Sequence, residues 1–172
     1  KSLSPFYMIS GDEPLLTQET RDHIIAAARA QGFTQREILH IDLEFRVETL
    51  IEFIQNYDLF AEKKIIDIRN PHAKIDANCL AVFETYCEKP PADRLMIMTT
   101  EKLTTAQQKS RSFEFLKNNA VIIPVWPIKQ ESLPAWIMER AKKLGIILSS
   151  ELAHTISHYF EGNLLAAKQT LE

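Results

Sequence analysis

Five short apolar runs, separated by stretches long enough for helices, constrain the fold more than any other feature of this chain. They lie at 6–10 (FYMIS), 37–41 (EILHI), 63–69 (KKIIDIR), 94–99 (RLMIMT) and 120–125 (AVIIPV). Runs of this length, rich in Ile, Val, Met and Phe, read as buried strands. Antiparallel neighbours can be joined by tight hairpins, but parallel ones need crossover connections, usually helices. The expected fold is therefore α/β: a five-stranded parallel sheet flanked by helices on both faces.

The intervening stretches carry helix signals. Gly11-Asp12-Glu13-Pro14 forms a turn, with Asp12 the expected N-cap and Pro14 tolerated in the first helical turn. The helix it opens runs to about Ala30 and ends near Gly32. Further helices are expected over 46–58, 76–88 and 104–119. From Glu131 onward no strand is apparent. Ser132 and Pro134 open a helix stopped at Gly145, Ser149-Ser150 caps a second, and a third starts at Leu164 after Gly162-Asn163. The boundary falls near 126–131, giving an α/β domain over 1–128 and a small all-helical domain over 129–172. Trp126 and Trp136 flank it and are expected to pack the helical part against the sheet.

Charge and cysteine usage exclude several classes. A net charge of −3 gives no electrostatic reason for strong nucleic-acid binding by this piece. Lys102, Lys109 and Arg111 read as a solvated helix face. No apolar run approaches the ~18 residues of a membrane span, and the N-terminus has no signal-peptide pattern. Cys79 and Cys87, too far apart on one helix to bond, read as reduced thiols of a cytoplasmic protein. The abrupt start at Lys1 and the uncapped end at Glu172 lead us to expect a piece of a longer chain.

A nucleotide-binding α/β protein carries its phosphate loop after the first strand. Such a loop needs several glycines and a lysine; this turn has one glycine, no lysine, two carboxylates and a proline. After the third strand, where an acid pair would hold magnesium, Arg69-Asn70 follow, and Asp67 lies within the strand. His23, His40, His72, His154 and His158 are scattered, and only His154 and His158 share a one-turn spacing, so no metal site is expected. No nucleophile motif is present. Neither catalytic residues, nor a cofactor, nor a small-molecule substrate is expected.

Residues 46–69 (RVETLIEFIQNYDLFAEKKIIDIR) carry the sharpest anomaly. Val47, Leu50, Ile51 and Ile54 form one apolar stripe of a helix. At roughly 100° per residue, Leu59 and Phe60 would fall well off that stripe. Two large apolar side chains so placed are either covered by a neighbouring element or offered to a partner.

YMISGDEPLLTQE, YDLFAEKKIIDI, EKLTTAQQKS, LPAWIMERAKKLG and YFEGNLLAAKQTLE together resemble the delta subunit of the bacterial DNA polymerase III clamp loader, a non-hydrolysing member of the AAA+ family. The resemblance runs through the whole chain and implies an AAA+-like sheet domain and a small helical domain, without the family's C-terminal collar. It also implies that Leu59 and Phe60 bind the sliding clamp (beta), supported by Tyr57, within a segment that includes Asn56 and Asp58. Asn56-Tyr57-Asp58-Leu59-Phe60 is similar to the Gln-Leu-Asp-Leu-Phe type of clamp-docking peptide, departing at its first two positions. The implied function is to grip and open the clamp during DNA replication, with gamma/tau and delta prime as further partners and DNA met only in the assembled loader. Leu165 falls where ATP-hydrolysing relatives place a nucleotide-sensing arginine, and a leucine cannot pair with phosphate. The alternative is an inert scaffold module with Leu59 and Phe60 buried.

Overall fold

The computed structural model describes residues 3–42, 44–55 and 62–172. The chain divides into two compact units, Lys1–Val125 and Trp126–Glu172.

The first unit alternates strand and helix: β1 Phe6–Gly11, α1 Pro14–Arg29, β2 Phe33–His40, α2 Val47–Gln55, β3 Lys63–Arg69, α3 Ala77–Glu88, β4 Arg94–Thr100, α4 Thr105–Gln108, α5 Arg111–Asn119 and β5 Val121–Val125. The five strands form one sheet in the order β2-β3-β4-β1-β5, and every pairing is parallel. Pro124 is accommodated because β5 is an edge strand, paired only with β1.

Side chains alternate across the sheet with the period of two that strands impose. Phe6, Met8, Ile66, Ile68, Met96 and Met98 point to one face, where they meet Leu50 of α2, Phe83 and Tyr86 of α3 and Leu116 of α5. Phe6 anchors this core, with its ring centroid 5.4 Å from that of Phe83 and 6.3 Å from that of Tyr86. The Tyr86 hydroxyl donates to the Pro5 and Arg94 carbonyls, so the ring's polar end is satisfied inside. Ile9, Ile65, Leu95 and Ile97 point to the other face, against Ile24, Ile25 and Ala28 of α1.

Three local expectations change. The first helix is capped by Glu13, whose side chain accepts from Leu15 N at 3.2 Å. Asp12 instead reaches across the strand ends to accept from Lys102 N at 2.8 Å. The second strand begins at Phe33, four residues before its apolar run. It lies at the sheet edge, where Thr34 and Gln35 stay exposed and only a ladder partner reveals the strand. The helix expected over 104–119 is broken into α4 and α5 at Ser110. That side chain accepts from Phe113 N and restarts the helix, while Thr104 and Gln107 form a reciprocal capping box around α4.

The second unit contains a short 3-10 turn, Gln130–Ser132, and three helices: α6 Leu133–Lys143, α7 Ser150–Tyr159 and α8 Leu164–Leu171. Helix α6 contacts both others. Buried Leu133, Ile137 and Ala141 on α6, Ala153 on α7, and Leu164, Ala167 and Leu171 on α8 are the apolar positions that make this packing possible. Gly145, at φ +75°, ends α6: its N–H donates to the Lys142 carbonyl, and that of Ile146 reaches back to Ala141 at 2.8 Å. Trp136 stacks on the Arg140 guanidinium one turn away, 4.2 Å from ring to charge, and Trp126 is 61% exposed.

Candidate functional site

In an open parallel sheet, ligands sit outside the carboxyl ends of the strands. Here those ends surround a cavity of about 650 Å³, lined by Gly11, Asp12 and Pro14 of the first turn, by α1, and by the ends of β2 at His40, of β3 from Arg69 to Pro71 and of β4 from Thr99 to Glu101. The turn itself is ill suited to a polyphosphate. Glu13 already supplies a carboxylate to the positive end of α1, where a phosphate would bind. Gly11 lies so close to Val125 that an added Cβ would stand 2.2 Å from its carbonyl oxygen. That glycine is needed for strand packing rather than for wrapping a ligand.

The far side of the cavity has a different character. Asp67 of β3 is fully buried and sits on the α1 face of the sheet, two residues along from Ile65. Its Oδ2 accepts from Arg36 of β2 through Nε (3.1 Å) and Nη2, and from Arg69 Nη2 at 2.9 Å. Arg21 of α1 comes within 4.0 Å of the same oxygen through Nε. Burial, then the neighbouring Arg69 charge, lower the Arg21 pKa, against the opposing pull of Asp67 and Asp22. Asp67 stands out in the sequence, but the cluster around it does not. The available signal was an acid within an otherwise apolar strand, since a buried carboxylate needs cationic or hydrogen-bonding partners.

The segment after β3 is held in a defined shape. Asn70 closes it by bonding Lys74 twice, through its amide nitrogen to the carbonyl and through its oxygen from the N–H, both at 3.1 Å. Ala73 sits at φ +49°, a left-handed conformation unusual for alanine. Gln107 Nε2 and Ser112 Oγ donate to the His72 and Ile75 carbonyls, tying the segment to the α4–α5 region.

The sequence-predicted clamp-binding residues Asn56, Tyr57, Asp58, Leu59 and Phe60 lie outside the described residues. Their flanks are described. Helix α2 fully buries Leu50 and packs Val47, Phe53 and Ile54 against the core. Ile51 and Ile54 also line a groove with Val82 and Tyr86 of α3. Strand β3 then begins at Lys63, whose ammonium donates to the Gln31 carbonyl.

The other sequence candidates are dispersed. Arg111 pairs with Glu84 at 3.2 Å, and Leu165 is 48% exposed on α8. Among the described residues, no three His, Cys, Asp or Glu side chains converge to hold a metal.

Comparison with known proteins agrees with this architecture. The family model for the DNA polymerase III delta subunit matches residues 7–125. The DNA polymerase III subunit delta of Escherichia coli K12 is 30% identical over 176 residues, covering all of this chain and 50% of that protein. That of Haemophilus influenzae is 29% identical, covering all of this chain and 51% of the relative. The chain thus spans about half the length of the curated relatives it matches. Among solved structures, a Bacillus subtilis DNA clamp loader delta protein aligns with a TM-score of 0.72 at 17% identity, over 98% of this chain and 52% of that one. Thermotoga maritima RuvB, a Holliday junction branch migration motor, aligns with a TM-score of 0.60 at 13% identity, over 97% of this chain and 53% of that one. These structural likenesses establish the fold as AAA+-like, a parallel sheet domain followed by a small helical unit. With 7–125 matched by its model, the chain belongs to the DNA polymerase III delta-subunit family.

Proposed function

We propose that this chain is the clamp-engaging part of a clamp-loader delta subunit, non-catalytic in itself, which grips the sliding clamp through Leu59 and Phe60 and promotes ring opening. The observation that carries the reading is the position of Asn56-Tyr57-Asp58-Leu59-Phe60 within the family match, immediately after a helix that packs Val47, Leu50, Phe53 and Ile54 on the core. Leu50, Val47, Phe53 and Ile54 spend α2's apolar surface on the core. In the proposed reading the two apolar residues beyond, Leu59 and Phe60, are the ones that meet the clamp. Burying one Leu and one Phe contributes roughly 1.5–3 kcal/mol each, less the cost of association. That is enough for an anchor.

Opening the ring requires more than anchorage, because a ligand shifts an equilibrium only by its differential affinity for the two states. The module must fit an opened clamp interface better than a closed one. In this reading Tyr57 and the 71–76 segment, the latter held by hydrogen bonds from Asn70, Gln107 and Ser112, press on the clamp near its subunit interface. The crowded Gly11 turn and the carboxylate already at the α1 terminus support a subunit that leaves ATP hydrolysis to others. Gamma/tau and delta prime are the proposed loader partners, and the proposed location is the cytoplasm. No helix among the described residues is long and apolar enough to cross a membrane.

The decisive experiment measures binding to the clamp of the same organism. Leu59→Ala combined with Phe60→Ala should weaken binding by about a hundredfold or more while circular dichroism stays that of the wild type. Undiminished binding by the double variant would move the anchor elsewhere. A loss of binding accompanied by loss of the folded signal would instead support the scaffold reading, with both side chains in the core.

A further inference from the structure

The cavity at the strand ends has two unlike walls. Asp12 belongs to the β1 turn, and Glu101 bridges β1 and the segment after β3 through Ser10 Oγ and the Pro71 carbonyl, whereas Arg21 and Arg69 gather around Asp67 of β3 and His40 ends β2. On the second side, Thr17 and Arg21 lie one turn apart on α1 and both line the cavity. They continue, with polar groups, the stripe that further along α1 becomes Ile24, Ile25 and Ala28.

Four atoms of the lining residues are buried and have no hydrogen-bond partner among the described residues: Thr17 Oγ1, Arg21 Nε, Arg69 Nε and Thr99 Oγ1. Thr17 is only 7% exposed, so its hydroxyl cannot turn to bulk water at no cost. A buried donor left unmatched is destabilising, because it gives up its bond to water for nothing. Their concentration along one cavity wall calls for an explanation beyond the Asp67 ion pairs. Asp67 also cannot balance the charge around it. Three guanidiniums share one of its oxygens, and the additional acid, Asp22, is half-exposed and 3.8 Å from Arg21 Nε. Guanidinium is a planar fork of several donors, suited to oxyanions. Asp67 Oδ1 is itself buried without a hydrogen-bond partner, so an anion must be small enough to lie against the guanidiniums and hydroxyls while avoiding it.

We propose that this wall, formed by Thr17, Arg21, Arg69 and Thr99, binds one small tetrahedral oxyanion of the phosphate or sulfate type. The opposite wall sets the size limit. A second and third phosphate extending towards the β1 turn would meet Asp12 and Glu101, and Glu13 already occupies the α1 terminus. The site therefore takes a single oxyanion and rejects a triphosphate. It does not depend on the clamp-binding reading, because none of its residues lies in 56–60.

The test is titration of the chain with sodium phosphate at ionic strength held constant with sodium chloride, followed by calorimetry and by the thermal unfolding midpoint. Phosphate should bind saturably at one site and raise the midpoint, and sulfate should compete with it. Thr17→Val keeps the side-chain shape and removes only the hydroxyl; it should fold normally and bind phosphate several-fold more weakly. Arg21→Met should weaken binding by about tenfold or more. Three results would each overturn the proposal. One is no saturable response beyond that to chloride. Another is wild-type affinity in both variants with their circular dichroism intact. The last is magnesium-ATP binding more tightly than phosphate, which would make the cavity a nucleotide site.

Discussion

The two faces of the sheet are built from the same strands and solve the burial problem differently. On the face covered by α2, α3 and α5, Phe6, Met8, Ile66, Ile68, Met96 and Met98 form an apolar surface, with buried Lys64 and Arg94 at its edge where β3 and β4 begin. On the face covered by α1, the strands are apolar at Ile65, Leu95 and Ile97, and then turn polar at Asp67, Arg69 and Thr99 as they approach their carboxyl ends. One residue of β3 decides the difference. Placed between Ile66 and Ile68, Asp67 points away from their face and must find its partners under α1. The first face is held by shape and area, and the second partly by charges whose benefit depends on all members being present. A defect in the first should cost contacts, and a defect in the second should leave charge unbalanced.

The largest expected effect is on the apolar face. Phe83→Ala should destabilise the fold by about 3–5 kcal/mol, because it removes a fully buried ring in contact with Phe6. Urea unfolding measures it, and a value below about 1 kcal/mol would show that this face tolerates a cavity. On the ionic face, Asp67→Asn should cost about 2–3 kcal/mol. This is less than for a fully buried pair, because Arg36 and Arg69 keep roughly a quarter of their side-chain surface in water. Should it cost more than Phe83→Ala, charge rather than packing would dominate the sheet.

Smaller effects probe the helix that covers the apolar face. Asp76 caps α3 by accepting from Cys79 N at 2.8 Å, and this bond holds its pKa below the usual carboxylate value. A depressed folded pKa contributes stability above the unfolded value, and that contribution is lost as pH falls through the folded one. Asp76→Ala should therefore cost about 1 kcal/mol at neutral pH. Asp76→Asn should cost less and flatten the acid limb of the stability curve. If Asp76→Ala leaves that limb unchanged, the cap is not its source. Smallest in energy are the thiols of α3. Burial pushes Cys79 up to about 12 and Cys87 to about 11, so both should react with a disulfide reagent at pH 8 far more slowly than a free thiol. Rapid modification of Cys79 in the native state would mean that α3 opens locally.

Much of the fold could be read in advance where the burial pattern was strong. The runs at Phe6, Lys63 and Arg94 became β1, β3 and β4, since interior parallel strands are apolar on both faces. The start of the edge strand β2 is not legible, because Thr34 and Gln35 need no apolar character there. The break at Ser110 is not legible either, because a serine within a helical pattern does not announce whether it will cap. Of the candidate sites, the missing phosphate lysine was readable in a few contiguous residues. The arginines around Asp67 were not, because they come from α1, β2 and β3, which only the folded sheet brings together.

Sequence alone determined the class of this protein: strand-length apolar runs separated by amphipathic helices, and the motifs that resemble the clamp-loader delta family. Those are properties of residues near one another in the chain, where spacing fixes which side chains share a face. Only the tertiary structure decided that Glu13 rather than Asp12 caps α1, that Asp12 bonds Lys102, and that three arginines meet one buried aspartate. The last two depend on which distant polar groups the folded sheet brings within about 3–4 Å of each other, and chain spacing carries no record of that distance.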